Sequence, residues 1–465
     1  MRGSEQVLTV AQMRAAEQAL IDAGSSVEAL MDIAGRGAAE WIWRIAGRGR
    51  VTVLCGPGNN GGDGYVIAET LRARGTDVAV IAALDAKSDA ARNARGLYQG
   101  EVLGPDANRS GDAFVDCLFG SGLTRALSAG HAEMVRRLAA SHGQAVAIDL
   151  PSGIESDRGL ALNDGLPGYD LTLVLGAWKF AHMLMPAAAL MGALRFVPIG
   201  VAPVDGAARM ILKPKIAAPD AQAHKYRRGL LAVVGGEMRG AAMLAAHAAQ
   251  GSGAGYVKLF ADSADRAPHD LVVDTGPLSD VLVDDRNTAV LVGPGLGRRG
   301  EARERLAIAL GDPVPVVADA DALVLLGPRS LAEREAATIA TPHEGEMVAL
   351  ERAFDLDGSG SKPERAAALA KATGMIVVAK GPDTLVAAPD GRLACADRAS
   401  SWLSTAGTGD VLAGVIASRV ATGVDAFEAA CEGVWLHGEA ARLCRPAFTA
   451  SELAAAVPRA LAACL

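Results

Sequence analysis

The sequence predicts a layered α/β fold in two domains, on three observations: chain length, the chemistry available to its cores, and a strand-helix alternation that starts afresh in the second half. At 465 residues the chain exceeds what one ordinary hydrophobic core serves, and about 150 residues per domain gives an expectation of two or three. Half of the residues are hydrophobic while only 4% are aromatic, so Ala, Val, Leu and Gly must fill the cores. That suits the close helix-to-sheet spacing of layered α/β architecture.

The elements follow in order. RVTVLC, the helical GYVIAETLRARG closed by Gly75, and DVAVIAAL read as a βαβ unit. Further strands are AFVDCLF (113–119), QAVAIDL (144–150) and LTLVLG (171–176), each followed by Gly, Ser or Pro, and polar residues at such strand ends should gather along one sheet edge. Between Pro198 and Arg228 the periodicity fades, four prolines punctuate the segment, and a charged HKYRRG precedes the next strand. The boundary is therefore expected near Ala208, giving domains 1–208 and 209–465. The second half restarts with LLAVVGG, the small-residue helix GAAMLAAHAAQGSGAG, YVKLF, AVLVGPGLG, PVVADADAL, ATIATPHEGE and MIVVAKGPDTLVA, and ends in helices from Asp410 onward.

Composition narrows the partners. A formal net charge of -8 without a sustained basic run argues against nucleic acid. The six cysteines are scattered without CxxC spacing and read as reduced core residues. The N-terminus has no signal-peptide pattern, and the apolar stretch Leu171 to Met191 is interrupted by Lys179, His182 and Pro186. No membrane association and a cytoplasmic location are expected.

The most informative segment of the first half is GPGNNGGDG, Gly56 to Gly64, directly after a strand and directly before a helix. Its glycines permit positive φ and inward-pointing amides, and the helix N-terminus adds partial positive charge. It contains GxGxxG, but Asn59, Asn60 and Asp63 would push oxygens into a site where a dinucleotide loop needs small residues. Such an oxygen-rich loop suits cations and hydroxyls. Asp116 in VDCLFGSG, and Asp149 with Ser152 in IDLPSG, would open onto the same crevice of a parallel sheet. Taken singly, these residues also fit a helix cap, a strand-end acid and a turn.

Together the segments resemble the N-terminal domain of the NAD(P)H-hydrate epimerases, over about residues 1 to 203. The resemblance implies a Rossmann-like three-layer sandwich. It implies that Asn59, Asn60, Gly61, Gly62 and Asp63, with Gly120, Ser121, Gly122, Leu123, Thr124, Arg125 and Ala126, hold the hydrated nicotinamide nucleotide. Potassium (K+) would be coordinated by Asn60, Asp116 and Ser152, and Asp149 becomes the acid-base residue and a substrate contact, with Lys179 a second candidate. A carboxylate near a cation can be held ionised for proton traffic at C6 of the ring. Ser121 stands where that family often has Thr, and Trp178 where Pro is common.

In the second half, TAGTGDVLAG (405–414) places glycines before Asp410 at the start of a small-residue helix. Free amides there can form an anion hole beside a carboxylate able to take a hydroxyl proton, as phosphoryl transfer to an alcohol requires. Asp410 would equally suit a residue that only complements the helix dipole. KGPDT, TPHEGE, DADAL and GPGLG accompany it, in the order found in ribokinase-like enzymes, and the wording is most similar to the ADP- or ATP-dependent NAD(P)H-hydrate dehydratases over about residues 209 to 465. This resemblance implies a ribokinase-like three-layer sandwich. Ala254, Gly297, His343 and Asp410 would contact the hydrated substrate, with Asp410 the catalytic base. Lys380, Gly381, Pro382, Asp383, Thr384 and Gly409 would hold the adenine nucleotide, ADP by preference, with Mg2+. Glu344 replaces the family's usual proline. GxxxxGK[ST] is absent, which disfavours a P-loop enzyme.

The expected function is repair of hydrated NADH and NADPH by epimerisation followed by nucleotide-driven dehydration, in an enzyme expected to form a homo-oligomer. The alternative is a vitamin-precursor kinase of the hydroxyethylthiazole or pyrimidine type, fused to a noncatalytic nucleotide-binding module.

Overall fold

A computed structural model describes residues 3–265, 267–282 and 284–465. The chain divides into two compact units, Met1–Arg209 and Met210–Leu465.

The first unit is built on β2 (Arg50–Cys55), β3 (Asp77–Ala82), β4 (Glu101–Leu103), β5 (Gly111–Cys117), β6 (His142–Ile148), β7 (Leu171–Leu175) and β9 (Ala193–Val197). They form one sheet in the order β4-β3-β2-β5-β6-β7-β9, parallel throughout. The connections run outward in one direction from β2 and in the other from β5, so a crevice opens where the loops after these two strands part. Val51, Val53, Val115, Val146 and Leu173 are fully buried, which is why these segments read as apolar runs in the sequence.

A smaller ladder sits beside this sheet. β1 (Gln6–Leu8) pairs in parallel with β8 (Trp178–Lys179), setting Leu8 across from Lys179. On its other side it pairs antiparallel with Ala208 and Arg209 of β10 (Ala208–Met210). The helix Val10–Asp22 follows β1 directly and is fixed at its start by a Thr9–Gln12 capping box and by the Val10 amide, which donates to Asp157 Oδ1 at 2.8 Å.

The second unit carries β11 (Leu230–Val234), β12 (Tyr256–Phe260), β13 (Val272–Asp274), β14 (Asn287–Val292), β15 (Val316–Ala318), β16 (Thr338–Ala340), β17 (Ile376–Ala379), β18 (Leu385–Ala387) and β19 (Leu393–Cys395). The order is β13-β12-β11-β14-β15-β16-β17-β18-β19. The strands are parallel as far as β17, after which β18 and β19 return antiparallel. Helices Arg239–Gln250 and Thr408–Ala421 pack against each other so closely that a Cβ on Gly414 would lie 2.1 Å from the Ala245 carbonyl oxygen. The Ala- and Gly-rich composition makes this approach possible. All six cysteines are thiols, five of them buried. No described helix is long and apolar enough to cross a membrane.

Candidate functional site

The glycine-rich segment of the first unit differs from the expectation at one point. The loop is shorter than expected, because the helix already begins at Asn59 behind an N-cap at Gly58. Its glycines serve packing: a Cβ on Gly61 would stand 2.0 Å from the Gly56 oxygen, and one on Gly64 would meet Cys55 Sγ at 2.7 Å. Only residues without side chains let this first turn settle onto the ends of β2 and β5. The first turn starts beside the crevice with amides that lack intrahelical partners.

That crevice is a cleft of about 750 Å³ lined by Asn59, Asn60, Asp63, the loop Gly120–Arg125, Asp149 and Lys179. Gly61, Gly62, Ala126, Asp116 and Ser152 stand outside its wall. Gly62 instead packs under Met31.

Asp149 follows the end of β6 with φ +64°, a strained left-handed conformation of the kind that gathers at functional positions. Its carboxylate ion-pairs with Lys179 Nζ, whose side chain is 1% exposed and also donates to the Leu175 carbonyl at 2.7 Å. His182 completes the support. Its Nδ1 accepts from the Lys179 amide at 2.9 Å, so Nε2 must carry the hydrogen that reaches the Asp149 carbonyl at 2.7 Å. Burial pushes the imidazole pKa down to about 4, which keeps the ring in that neutral tautomer. Asp63 is almost fully buried, and burial followed by the negative charge of Asp149 raises its carboxyl well above the usual range.

The three expected potassium ligands differ in free capacity. Asn60 Nδ2 is buried without a partner among the described residues, and the reversed amide would offer an oxygen at the same point. Asp116 is fully buried and accepts from Leu118 N (3.1 Å), Ser152 Oγ (2.7 Å), Ser152 N (2.9 Å) and Tyr169 Oη (2.5 Å). Ser152 Oγ in turn accepts from Phe119 N at 2.9 Å. The Asn60 amide thus fits a cation directly. Asp116 and Ser152 fix the adjoining Phe119–Gly120 backbone, with Asn60 Cγ 3.2 Å from where a Gly120 Cβ would stand.

In the second unit Asp410 occupies the first turn of the helix Thr408–Ala421, whose N-cap, Gly407, has φ +92°. Burial, then the negative charge of Asp319, raises the Asp410 carboxyl to about 6. His437, neutral with a pKa pushed down to about 4 by burial, bonds the Thr408 carbonyl at 2.9 Å. Lys380 joins the strand ends: its Nζ reaches buried Asp319 at 2.7 Å and lies 3.5 Å from where a Gly409 Cβ would stand. Thr341 Oγ1 donates to Asp319 at 2.6 Å. The 380–384 turn is closed by Thr384 Oγ1 on Gly381 N (3.1 Å) and by Lys362, which donates to Asp383 Oδ1 (2.5 Å) and the Lys380 carbonyl (3.2 Å).

Gly297 has φ +84°, and its amide donates to Asp321 Oδ2 at 3.0 Å. His343 is exposed and caps the helix Glu344–Ala353, accepting from Glu346 N at 3.2 Å. The charge of Glu344 is met by Arg365 at 2.6 Å. Ala254, also expected to contact the substrate, is placed away from Asp410. It is buried, its amide is used by Ser418 Oγ at 3.0 Å, and Ser418 lies eight residues along the helix from Asp410, about 12 Å at 1.5 Å per residue.

Sequence and structure comparisons bear on both units. A family model described as YjeF-related protein N-terminus matches residues 27–181, and one described as NAD(P)H-hydrate dehydratase matches residues 231–461. The bifunctional NAD(P)H-hydrate repair enzyme Nnr of Gloeobacter violaceus is 34% identical over 469 residues, covering 92% of each chain. That of Thermanaerovibrio acidaminovorans is 32% identical over 480 residues, again 92% of each. The chain belongs to the bifunctional NAD(P)H-hydrate repair enzymes. It joins an epimerase half to a dehydratase half, and the fused vitamin-precursor kinase is not favoured. A solved ADP/ATP-dependent NAD(P)H-hydrate dehydratase from Bacillus subtilis, co-crystallized with ATP/Mg2+, is 27% identical, covers 54% of this chain and 95% of its own, and has a TM-score of 0.48.

Within this repair-enzyme frame, several residues at the sites were missed by sequence reasoning. One wall of the epimerase cleft is the helix Val10–Asp22, through Val10, Met13, Arg14, Glu17, Gln18 and Ile21. Its signal was present as the Thr9–Gln12 capping box followed by residues spaced three and four apart. Lys362 supports the 380–384 turn through contacts distant in sequence, and no local pattern marks it.

Proposed function

We propose that residues 1–208 epimerise the R and S forms of hydrated NADH and NADPH at Asp149. Residues 209–465 then dehydrate the S form with ADP, forming AMP and phosphate, with Asp410 as base. The observation that carries this reading is one carboxylate per unit, each held at a parallel strand end or helix start beside a lysine: Asp149 with Lys179, and Asp410 in the field of Lys380.

In the first unit, Asn59, Asn60, Asp63 and the 120–125 loop bind the nicotinamide nucleotide. Lys179 pairs with the Asp149 carboxylate and orients it, so that it can accept a proton at C6. Potassium would be held by Asn60, with Asp116 and Ser152 fixing the backbone beside it, and would supply positive charge near the substrate phosphates.

In the second unit, Asp410 takes the proton of the C6 hydroxyl as that oxygen attacks the terminal phosphorus of the nucleotide. The C6–O bond then breaks with phosphate as leaving group, and loss of a proton from C5 restores the dihydropyridine. Lys380 to Thr384 and Gly409 bind the nucleotide, while Gly297 and His343 contact the hydrated ring. Magnesium would neutralise charge on the nucleotide phosphates. Among the described residues no three of His, Cys, Asp or Glu cluster as a metal site, so its protein ligands would be few.

The test is recovery of reduced-nicotinamide absorbance from hydrated NADH with Mg2+, K+ and either ADP or ATP. Recovery is expected with ADP, and failure with both nucleotides would overturn the dehydratase assignment.

A further inference from the structure

We propose that Glu17 is the proton donor that works opposite Asp149 in the epimerase cleft, an inference that rests on Asp149 being the proton acceptor there. Inversion at C6 needs two proton-handling groups, because a hydroxyl must leave from one face and an oxygen must return to the other. Asp149, ion-paired with Lys179, is suited to accept. The donor must be a carboxyl group that holds a proton and reaches the same cavity from another element.

Glu17 meets these conditions geometrically. The β1–β8 register sets Leu8 across from Lys179, and the capped helix that begins at Val10 then carries Glu17 two turns onward into the cleft wall. Arg14, Glu17 and Ile21, at spacings of three and four, all line the cavity. Among the described residues Glu17 is half-buried and makes no hydrogen bond or ion pair, so its carboxyl group remains available to a ligand. The charged groups around it are Arg14 on its own helix, Asp63 from the helix Asn59–Ala73, Arg125 from the 120–125 loop, and Asp149 and Lys179 from the strand ends. Burial raises its carboxyl; Lys179 opposes that shift and Asp149 adds to it.

The step balances. Glu17 gives its proton to the C6 hydroxyl, the C6–O bond breaks, water leaves, and the N1 lone pair forms the N1=C6 bond. Water then adds to the opposite face of C6, the N1=C6 pair returns to N1, and the proton released by that water passes to Asp149. Nothing is oxidised or reduced. Exchange with solvent, or turnover in the reverse direction, restores both carboxyl groups.

The experiment uses the full-length enzyme with separated R and S epimers of hydrated NADH, ADP, Mg2+ and K+, and follows return of reduced nicotinamide. Glu17→Gln should lower kcat for the R epimer about 100-fold, the scale of general acid catalysis, with KM within about threefold and S-epimer repair unchanged. Glu17→Asp should recover part of the loss. The alkaline fall of the R-epimer profile, where the donor loses its proton, should disappear from the residual rate of Glu17→Gln. Wild-type R-epimer turnover in Glu17→Gln would overturn the proposal, as would equal losses in Gln and Asp variants with the alkaline fall retained. Asp149→Asn separates the two readings: normal R-epimer turnover there, with Glu17→Gln impaired, removes Asp149 as acceptor and leaves Glu17 as donor.

Discussion

Replacing Asp410 by Asn removes one carboxylate and leaves its volume, so it isolates the base assigned to the dehydratase half. With a carboxyl pKa of about 6, Asp410 is about 90% ionised at pH 7 and about 10% ionised at pH 5. The sign follows from the role: a base must be unprotonated, so kcat/KM for the S epimer should fall about tenfold as pH drops from 7 to 5. Asp410→Asn should lose a factor of roughly 10² to 10⁴ in kcat and flatten that acid limb. Lys380→Met should shift the limb to higher pH, because the ammonium favours the Asp410 anion. The assay is the initial rate of absorbance recovery from purified S epimer at saturating ADP, corrected for acid loss of reduced nicotinamide. A flat wild-type profile between pH 7 and 5, or an Asn variant within tenfold of wild type, would refute the role.

Three other perturbations test the supporting structure. Lys179→Met strands the Asp149 carboxylate next to Asp63 and Glu17; breaking a buried pair costs about 3–5 kcal/mol, so the calorimetric transition of the first unit should fall by roughly 6–20 °C. Gly56→Ala would put a Cβ 1.7 Å from the Leu118 oxygen, and R-epimer repair should drop while S-epimer repair persists. Lys362→Met frees the 380–384 turn of a charged anchor worth about 1.5–3 kcal/mol, which should raise the KM for ADP at least tenfold and leave that for the S epimer unchanged.

The central strands were legible because each is buried on both faces and so writes a continuous apolar run; β2, β5, β7, β11 and β14 all fall where those runs occur. The edge strands Glu101–Leu103 and Ala193–Val197 were not, since half-exposed three- and five-residue segments carry too few buried side chains to leave a pattern. The start of the helix at Asn59 was hidden because its glycines read as a loop, whereas here they answer to a steric demand set by the ends of β2 and β5. The two principal carboxylates could be named from motifs. Their environments could not, because the lysine beside Asp149 lies 30 positions away and the one near Asp410 also 30. Glu17 lies 99 positions before Asp116 and 132 before Asp149, and no local spacing connects its helix to those strand ends.

Mixed R and S epimers of hydrated NADH, supplied to Asp149→Ala and Asp410→Ala enzymes with ADP, Mg2+ and K+, test most directly whether each half houses its own reaction. The account predicts that Asp149→Ala restores only the S fraction at the normal rate and then slows to the uncatalysed interconversion, while Asp410→Ala restores neither. Full recovery at the normal rate by the first variant, or any rapid recovery by the second, would contradict it.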